Sequence, residues 1–245
     1  MKKYPVLKDK QNLKDKFYRA TVSDTSLLPK QTNNAILIDW VFDQGQQGSC
    51  TGNALASLKM YRLKQAGVPF VVVSRSYIYW HERLIEGTIS QDSGAYPRDG
   101  MKVLNTLGVC TDSLMPYHDT DFTTKPSALA ETEAAKYKIS EYHRIADASM
   151  LKAALAAGDV VALGMLVYNS FESQKVATTG IVPTPKRGEQ QLGGHEVLIV
   201  DYYTKGTTTY YKILNSWGKN WGQNGYFVMT EATLKKLMMD MWTGK

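Results

Sequence analysis

Asp43-Gln44-Gly45-Gln46-Gln47-Gly48-Ser49-Cys50-Thr51 is a glycine-punctuated loop that ends in a cysteine. The pattern then turns helical through Asn53-Ala54-Leu55-Ala56-Ser57-Leu58-Lys59-Met60-Tyr61-Arg62-Leu63. Leu55, Leu58 and Arg62 fall at helical spacing, and Gly67 supplies a stop. Cys50 is therefore expected at or just before a helix N-terminus. The unpaired N–H groups and the helix dipole favour negative charge there, so the thiol is expected to ionise below its usual ~8.5. A thiolate in that place is a nucleophile when a base and an oxyanion donor stand beside it. Gln44, upstream on the same loop, can offer its side-chain amide. The competing reading is a small buried apolar thiol.

Two distant segments decide between these readings. Gly193-Gly194-His195-Glu196-Val197-Leu198-Ile199-Val200 opens an apolar strand with a histidine, and Leu214-Asn215-Ser216-Trp217-Gly218 closes another with an amide beside a tryptophan. A cysteine on a helix start, a histidine on a strand start and an asparagine far along the chain are the parts of a Cys–His–Asn nucleophilic site.

With these residues in view, the chain resembles the papain-like cysteine peptidases from about Leu28 to near its C-terminus. DQGQQGSC at 43–50, GGHEVLIVDYY at 193–203 and ILNSWGKNWGQNGYFVM at 213–229 carry the resemblance in the expected order, with a weaker block, DSGAYPRDGMKVLNTLGV, at 92–109. The resemblance implies Cys50 as nucleophile, His195 as general base and acid, and Asn215 as the group that orients the imidazole. It implies that Gln44 shares the oxyanion hole with the Cys50 backbone N–H and that Trp217 shields the Asn215–His195 hydrogen bond. Gly94, Ala95, Tyr96 and Pro97, with Gly194 and Trp217, would contact substrate; for 94–97 a simple helix-entry turn fits the residues equally well. The family's usual disulfide cysteine, three residues before the nucleophile, is replaced by Gln47, and the aromatic residue after the nucleophile by Thr51. GSCTGNALA is more similar to the bacterial and viral branch than to the lysosomal or plant enzymes. Glu196 departs as well: on a strand it points away from His195, towards the interior, where it needs a partner.

The chain has 245 residues, 43% of them hydrophobic, enough for two lobes around a cleft. No apolar run approaches the ~20 residues of a membrane span. The N-terminus carries no hydrophobic leader, and two cysteines do not make a disulfide framework, so a reducing, cytoplasmic-type compartment is expected. The net charge of +6 is concentrated at the start: Lys2, Lys3, Lys8, Lys10, Lys14, Lys16 and Arg19 stand against Asp9 and Asp15. A nucleic-acid surface of this kind lacks interleaved aromatics and a motif, which leaves a solvated tail or a short pro-segment over residues 1–27. Residues 21–35 read as a linker.

Ser74 is placed to cap a helix through Ile85 with Gly87 as its stop, and Arg98 to Leu107 forms a third helix ended by Gly108. His81 reads as a packed or surface helix residue and Cys110 as a structural thiol. Then come a polar helix over Ala128–Lys136, a strand over Tyr137–Ile145 holding His143, a helix capped by Asp147, and a strand over Val160–Val167. A long loop over 168–192 leads to strands His195–Tyr203, Thr208–Leu214 and Tyr226–Thr230, with Lys205-Gly206 as a turn. The fold class is α+β, two-lobed: helices over about 40–118 and antiparallel strands over about 119–245, with the cleft between. Four scattered histidines make no metal site. The expected chemistry is acyl transfer on a peptide or protein substrate without a cofactor. Hydrolysis as an endopeptidase is the first reading, peptide ligation through the same site the second, and a silent binding module the third. The sequence does not specify an oligomeric state.

Overall fold

The computed structural model describes residues 2–20, 22 and 25–245. Three α-helices come first: α1 (Cys50–Gln65), α2 (Arg75–Glu86) and α3 (Pro97–Thr106). Ser74 caps α2 by accepting from the Tyr77 N–H, and Gly87 ends it in the left-handed region. Pro97 sits in the first turn of α3, where its missing N–H costs nothing. Next are α4 (Ala128–Ala134), β1 (Tyr142–Arg144), α5 (Ala148–Ala156), β2 (Val161–Tyr168), α6 (Gln174–Thr179), β3 (Gln191–Lys205), β4 (Thr208–Leu214), β5 (Tyr226–Thr230), α7 (Glu231–Leu237) and β6 (Met238–Gly244).

The six strands form one antiparallel sheet in the order β1-β6-β2-β3-β4-β5. Its two faces bury different sets of side chains. Ala162, Leu198, Leu214 and Trp242 join Leu55, Leu58, Tyr77 and Leu104 in a core between helices and sheet. Leu163, Met165, Val197, Ile199 and Phe227 form a second core on the other face with Leu151, Phe171 and Leu234. Alternation along β3 sends Glu196 and Leu198 to the helical side and His195 and Val197 to the other. Helices precede strands, and the segments that carry Cys50 and His195 come from the helical and the sheet parts respectively, so the α+β expectation holds.

α1 is buried well beyond the positions Leu55 and Leu58 that its spacing marks as apolar. Every residue from Cys50 to Tyr61 is buried, because α1 lies against β3 as well as against α2 and α3. Its C-terminal half ties the lobes together. Arg62 donates through Nη2 to Asp159 Oδ1 at 2.7 Å and through Nε to the Gly244 carbonyl at 2.6 Å, while Tyr61 Oη donates to the Gly158 carbonyl.

Other expectations need correction. The strand over Tyr137–Ile145 shrinks to Tyr142–Arg144, since a 3-10 turn at Ala135–Tyr137 continues α4. The loop over 168–192 contains a 3-10 turn at Asn169–Glu172 and α6, the latter capped by Ser173 and stopped by Gly180. The sequence reading stopped at Thr230 and missed α7 and β6. The linker at 21–35 falls partly outside the described residues, and its second half is anchored: the Asp201 carboxylate accepts from Thr32 Oγ1 and from the N–H groups of Asn34 and Ala35. The N-terminal arm is no solvated tail. Val6 and Asp9 are buried and Tyr18 packs in the second core.

The Arg62–Asp159 pair is largely enclosed, with side-chain exposures of 11% and 4%. Removing one partner strands the other charge away from water. Arg62→Ala is expected to lower the free energy of unfolding by about 3 kcal/mol in a denaturant titration. A loss below about 0.5 kcal/mol, the scale of an exposed pair, would contradict its role as an inter-lobe tie.

Candidate active site

Cys50 is the first residue of α1, with Ser49 as its N-cap. The loop before it is pinned from several sides. Ser49 Oγ shares a hydrogen bond of 2.7 Å with Tyr117 Oη, and Gln47 Nε2 donates to the carbonyls of His118 and Asp121. Gln47, standing where the family's disulfide cysteine was expected, thus holds the loop through its amide. Asp92 accepts from the Gly48 N–H and from Tyr79 Oη.

Gln44 is 1% exposed and its amide has a fixed orientation. Ser216 Oγ donates to Oε1 at 2.6 Å, and Nε2 donates to the Gln47 carbonyl at 2.8 Å. An amide nitrogen carries two N–H groups, so one remains for the cleft. The backbone also joins the two lobes here, the Gln44 N–H donating to the Ser216 carbonyl.

His195 extends from β3 opposite Met165 of β2. Its Nε2 lies 2.8 Å from Asn215 Oδ1, and its Nδ1 is buried without a hydrogen-bond partner. Trp217 stacks on the imidazole at 5.2 Å and 28°, while Phe171 approaches from another side. Asn215 Oδ1 also accepts from the Ser216 N–H, which fixes the amide in place. The cleft thus brings together Gln44, Cys50, His195, Asn215 and Trp217.

The arm fills the space in front of these groups. The Gly194 N–H donates to the Tyr4 carbonyl at 3.0 Å and the Val6 N–H to the Gly194 carbonyl at 3.1 Å, a parallel bridge centred on Pro5. Glycine is required on both sides of it. A Cβ on Gly194 would stand 2.1 Å from the Val6 carbonyl oxygen, and one on Gly94, at φ +71°, 2.5 Å from Pro5 Cγ. Of the expected substrate-contact residues, Gly94 and Gly194 therefore flank the arm. Ala95 is buried, the Tyr96 N–H donates to Glu86, and Pro97 begins α3 within reach of Gly164. Tyr4 places its ring edge-on to His195 at 6.1 Å and donates from Oη to Glu172. Farther along, the Asp9 N–H donates to Asp240 Oδ2 at 2.7 Å, and Arg98 and Arg144 both pair with Asp15. None of these arm contacts has a local sequence signal beyond the charge of the segment.

Burial decides the protonation states. Cys50 and His195 are both 0% exposed. Loss of hydration pushes the Cys50 thiol up to about 12; the Glu196 N–H opposes this, and the nearby Glu196 and Glu82 carboxyls add to it. The same loss of hydration pulls His195 down to about 4, against the pull of Asn215 and with the charge of Lys2. The expectation of a readily ionised thiol is thus overturned for the covered site: the field at the helix start is outweighed by desolvation. Glu196 points to the helical side as its strand position required, but it finds no hydrogen-bond partner. Burial, followed by the charge of Glu82, raises its pKa well above the usual carboxyl range. His81 is a packed helix residue 3.1 Å from Glu131, and Cys110 is buried with its thiol also pushed up to about 12. Among the described residues no group of His, Cys, Asp and Glu is arranged to hold a metal, and no helix is long and apolar enough to cross a membrane.

Comparison with known proteins identifies the family. The papain family cysteine protease model matches residues 28–241. An uncharacterized peptidase C1-like protein of Acanthamoeba polyphaga mimivirus is 39% identical over 212 residues, which cover 82% of this chain and 68% of the relative. The crystal structure of xylellain, a cysteine protease from Xylella fastidiosa, superposes with a TM-score of 0.92 at 36% identity, covering 100% of this chain and 97% of the other. A procathepsin B from Trypanosoma congolense shares the fold at a TM-score of 0.76 and 18% identity, over 95% and 83% of the two chains. With a viral and a bacterial protein among these relatives, and with a match that spans both lobes, this chain is a papain-like cysteine peptidase and belongs to the papain family of cysteine proteases.

Proposed function

We propose that the chain is an endopeptidase in which Cys50 is the nucleophile, His195 the general base and acid, Asn215 the group that orients the imidazole, and Gln44 an oxyanion donor. The observation that carries this reading is the state of His195. Its Nε2 is fixed on Asn215 while its Nδ1 is left without a partner, in the same enclosed cleft as Cys50. A ring held at one nitrogen and free at the other is placed to take a proton and return it. Nδ1 takes the thiol proton, and the sulfur attacks the peptide carbonyl to form a C–S bond. The oxygen becomes an oxyanion between the Gln44 amide and the Cys50 N–H. On collapse the C–N bond breaks and the imidazolium gives its proton to the leaving amine. Water, losing a proton to His195, then attacks the thioester and frees the acid and the thiol. The arm supports cleavage within a chain rather than at its end. It runs past the site in both directions, from Lys2 at the Gly45 carbonyl to Asp9 at Asp240, so the cleft accepts extended peptide on either side.

The same reading makes residues 1–27 a blocking segment. The arm removes water from Cys50 and His195, which favours the neutral thiol and neutral imidazole over the reactive ion pair. When it leaves, both groups regain solvent and the pair forms. In the intact chain at pH 6, iodoacetamide is expected to modify Cys50 as slowly as Cys110, since both thiols are buried and protonated. Cutting the chain between Ala20 and Thr25 and displacing the arm is expected to accelerate Cys50 at least about 100-fold, with Cys110 unchanged. Rapid labelling of Cys50 in the intact chain would show that the arm does not close the site. Slow labelling after the cut would remove the thiolate–imidazolium pair.

Gln44 is tested by kinetics in the cut protein. An oxyanion donor acts on charge that develops at the transition state, so Gln44→Ala is expected to lower kcat by roughly 10²–10³ with little change in KM. A kcat within a few-fold of the parent, or a lowered melting temperature with normal turnover in the folded fraction, would make Gln44 only a loop anchor.

A further inference from the structure

The arm is a peptide seated in the cleft, and its side chains show what the walls accept. Lys3 Nζ lies 2.5 Å from Asp92 Oδ2. Asp92 is no ordinary surface carboxylate: its side chain is 7% exposed. Its remaining bonds are to neutral donors, the Gly48 N–H at 2.9 and 3.0 Å and Tyr79 Oη at 2.6 Å. Tyr79 Oη in turn accepts from the Gly94 N–H. The carboxylate is thereby fixed between the loop that precedes Cys50 and the loop that flanks the arm. The guanidinium of Arg83 stands nearby over the Tyr79 ring, but its N–H groups are committed to the carbonyls of Tyr79, Ile89, Gln91 and Phe122. Among the described residues, Lys3 is the cation that hydrogen-bonds Asp92. Once the arm leaves, a largely buried carboxylate on Gly48, two residues before Cys50, is left without a hydrogen-bonded cation.

We propose that Asp92 is a specificity residue of the cleft, accepting a Lys or Arg side chain of the substrate in the place that Lys3 fills. This rests on the peptidase reading above. The substrate residue concerned is the one that donates the acyl group. The leaving amine must lie at His195, beside Trp217, and the neighbouring arm residue Lys2 already occupies that side, with Nζ 5.6 Å from the Trp217 ring and 2.9 Å from the Gly45 carbonyl. In that arrangement the residue whose carbonyl is attacked by Cys50 would lie on the Gly48 side of the cleft, and Asp92 is hydrogen-bonded to the Gly48 N–H. The preferred substrates are thus polypeptides cut after a basic residue.

The test uses the full chain carrying a sequence-specific protease site between Ala20 and Thr25, cut after folding. Peptides that differ only in Lys, Arg, norleucine or Gln at the acyl-donating position are compared. The ratio of kcat/KM for Lys over norleucine is expected to be about tenfold or more, the discrimination of a single charge-assisted hydrogen bond, and Asp92→Asn is expected to bring it near one. Asn keeps an acceptor for the Gly48 N–H, so a loss that struck both peptides equally would mark Asp92 as structural and overturn the proposal. Absence of any basic preference in the parent would overturn it too. A second readout does not depend on turnover: the synthetic arm peptide of residues 2–20 is rebound to the cut protein, with Lys3 or with norleucine in its place. About tenfold weaker binding of the norleucine peptide, lost in Asp92→Asn, is expected. If no peptide is cut, the peptidase reading fails and this binding difference alone decides whether Asp92 accepts a cation; equal affinities would overturn the proposal.

Discussion

The structure depends on α1 being buried on every side from Cys50 to Tyr61. In the proposed site, a nucleophile on a helix and a base on a strand can meet only if that helix lies against that strand, so α1 must serve both lobes at once. Its N-terminal residue is Cys50, its middle turns fill the core between helices and sheet, and Arg62 near its end fixes Asp159 and the Gly244 carbonyl of the second lobe. With both ends tied, the distance between the Cys50 loop and β3 is set by packing rather than by any one bond at the site. The backbone bond from Gln44 to Ser216 repeats the tie at the mouth of the cleft.

Much of this was legible in the sequence because each part has a local signal. A Gly-rich loop followed by a helix pattern placed Cys50, Ser74 and Gly87 bounded α2, and strand alternation sent His195 and Glu196 to opposite faces. Thr208–Leu214 and Tyr226–Thr230 were read to the residue. The burial of α1 on the side that meets β3 has no local signal, because the covering residues lie more than a hundred positions later in the chain. β6 was missed because a strand that begins Met-Met-Asp directly after a short helix has no turn signal between the two. At the candidate site, the residue types of Gln44, Cys50, His195 and Asn215 could be read, whereas their surroundings could not. Ser216 fixing the Gln44 amide, Asp92 bracing Gly48, and the arm threading between Gly94 and Gly194 are all contacts between distant segments.

The largest difference between sequence and structure is electrostatic. A helix start favours a thiolate by a fixed, modest field, while complete burial acts on the whole charge, so the covering of a site can outweigh the element that carries it. In this chain the cover is supplied by its own N-terminus, and its net positive charge matches carboxylates that line the way: Asp43 and Asp92 near Lys2 and Lys3, and Asp240 near Lys8. Part of the excess of basic residues in the first twenty, which composition alone could assign to several partners, has its counterpart within the molecule.

The central claim is that the arm holds a complete Cys–His site in its neutral form by excluding water, and the protonation of His195 tests it most directly. The ring resonances of selectively labelled histidine are followed by NMR as pH is lowered, in the intact chain and after the arm has been cut and displaced. Burial disfavours the cation, so His195 in the intact chain is expected to stay neutral until about pH 4. With the arm gone and a thiolate beside it, the imidazolium is expected to persist above the usual ~6.5 of histidine. A His195 that titrates near 6.5 in the intact chain, unchanged by removal of the arm, would contradict the account.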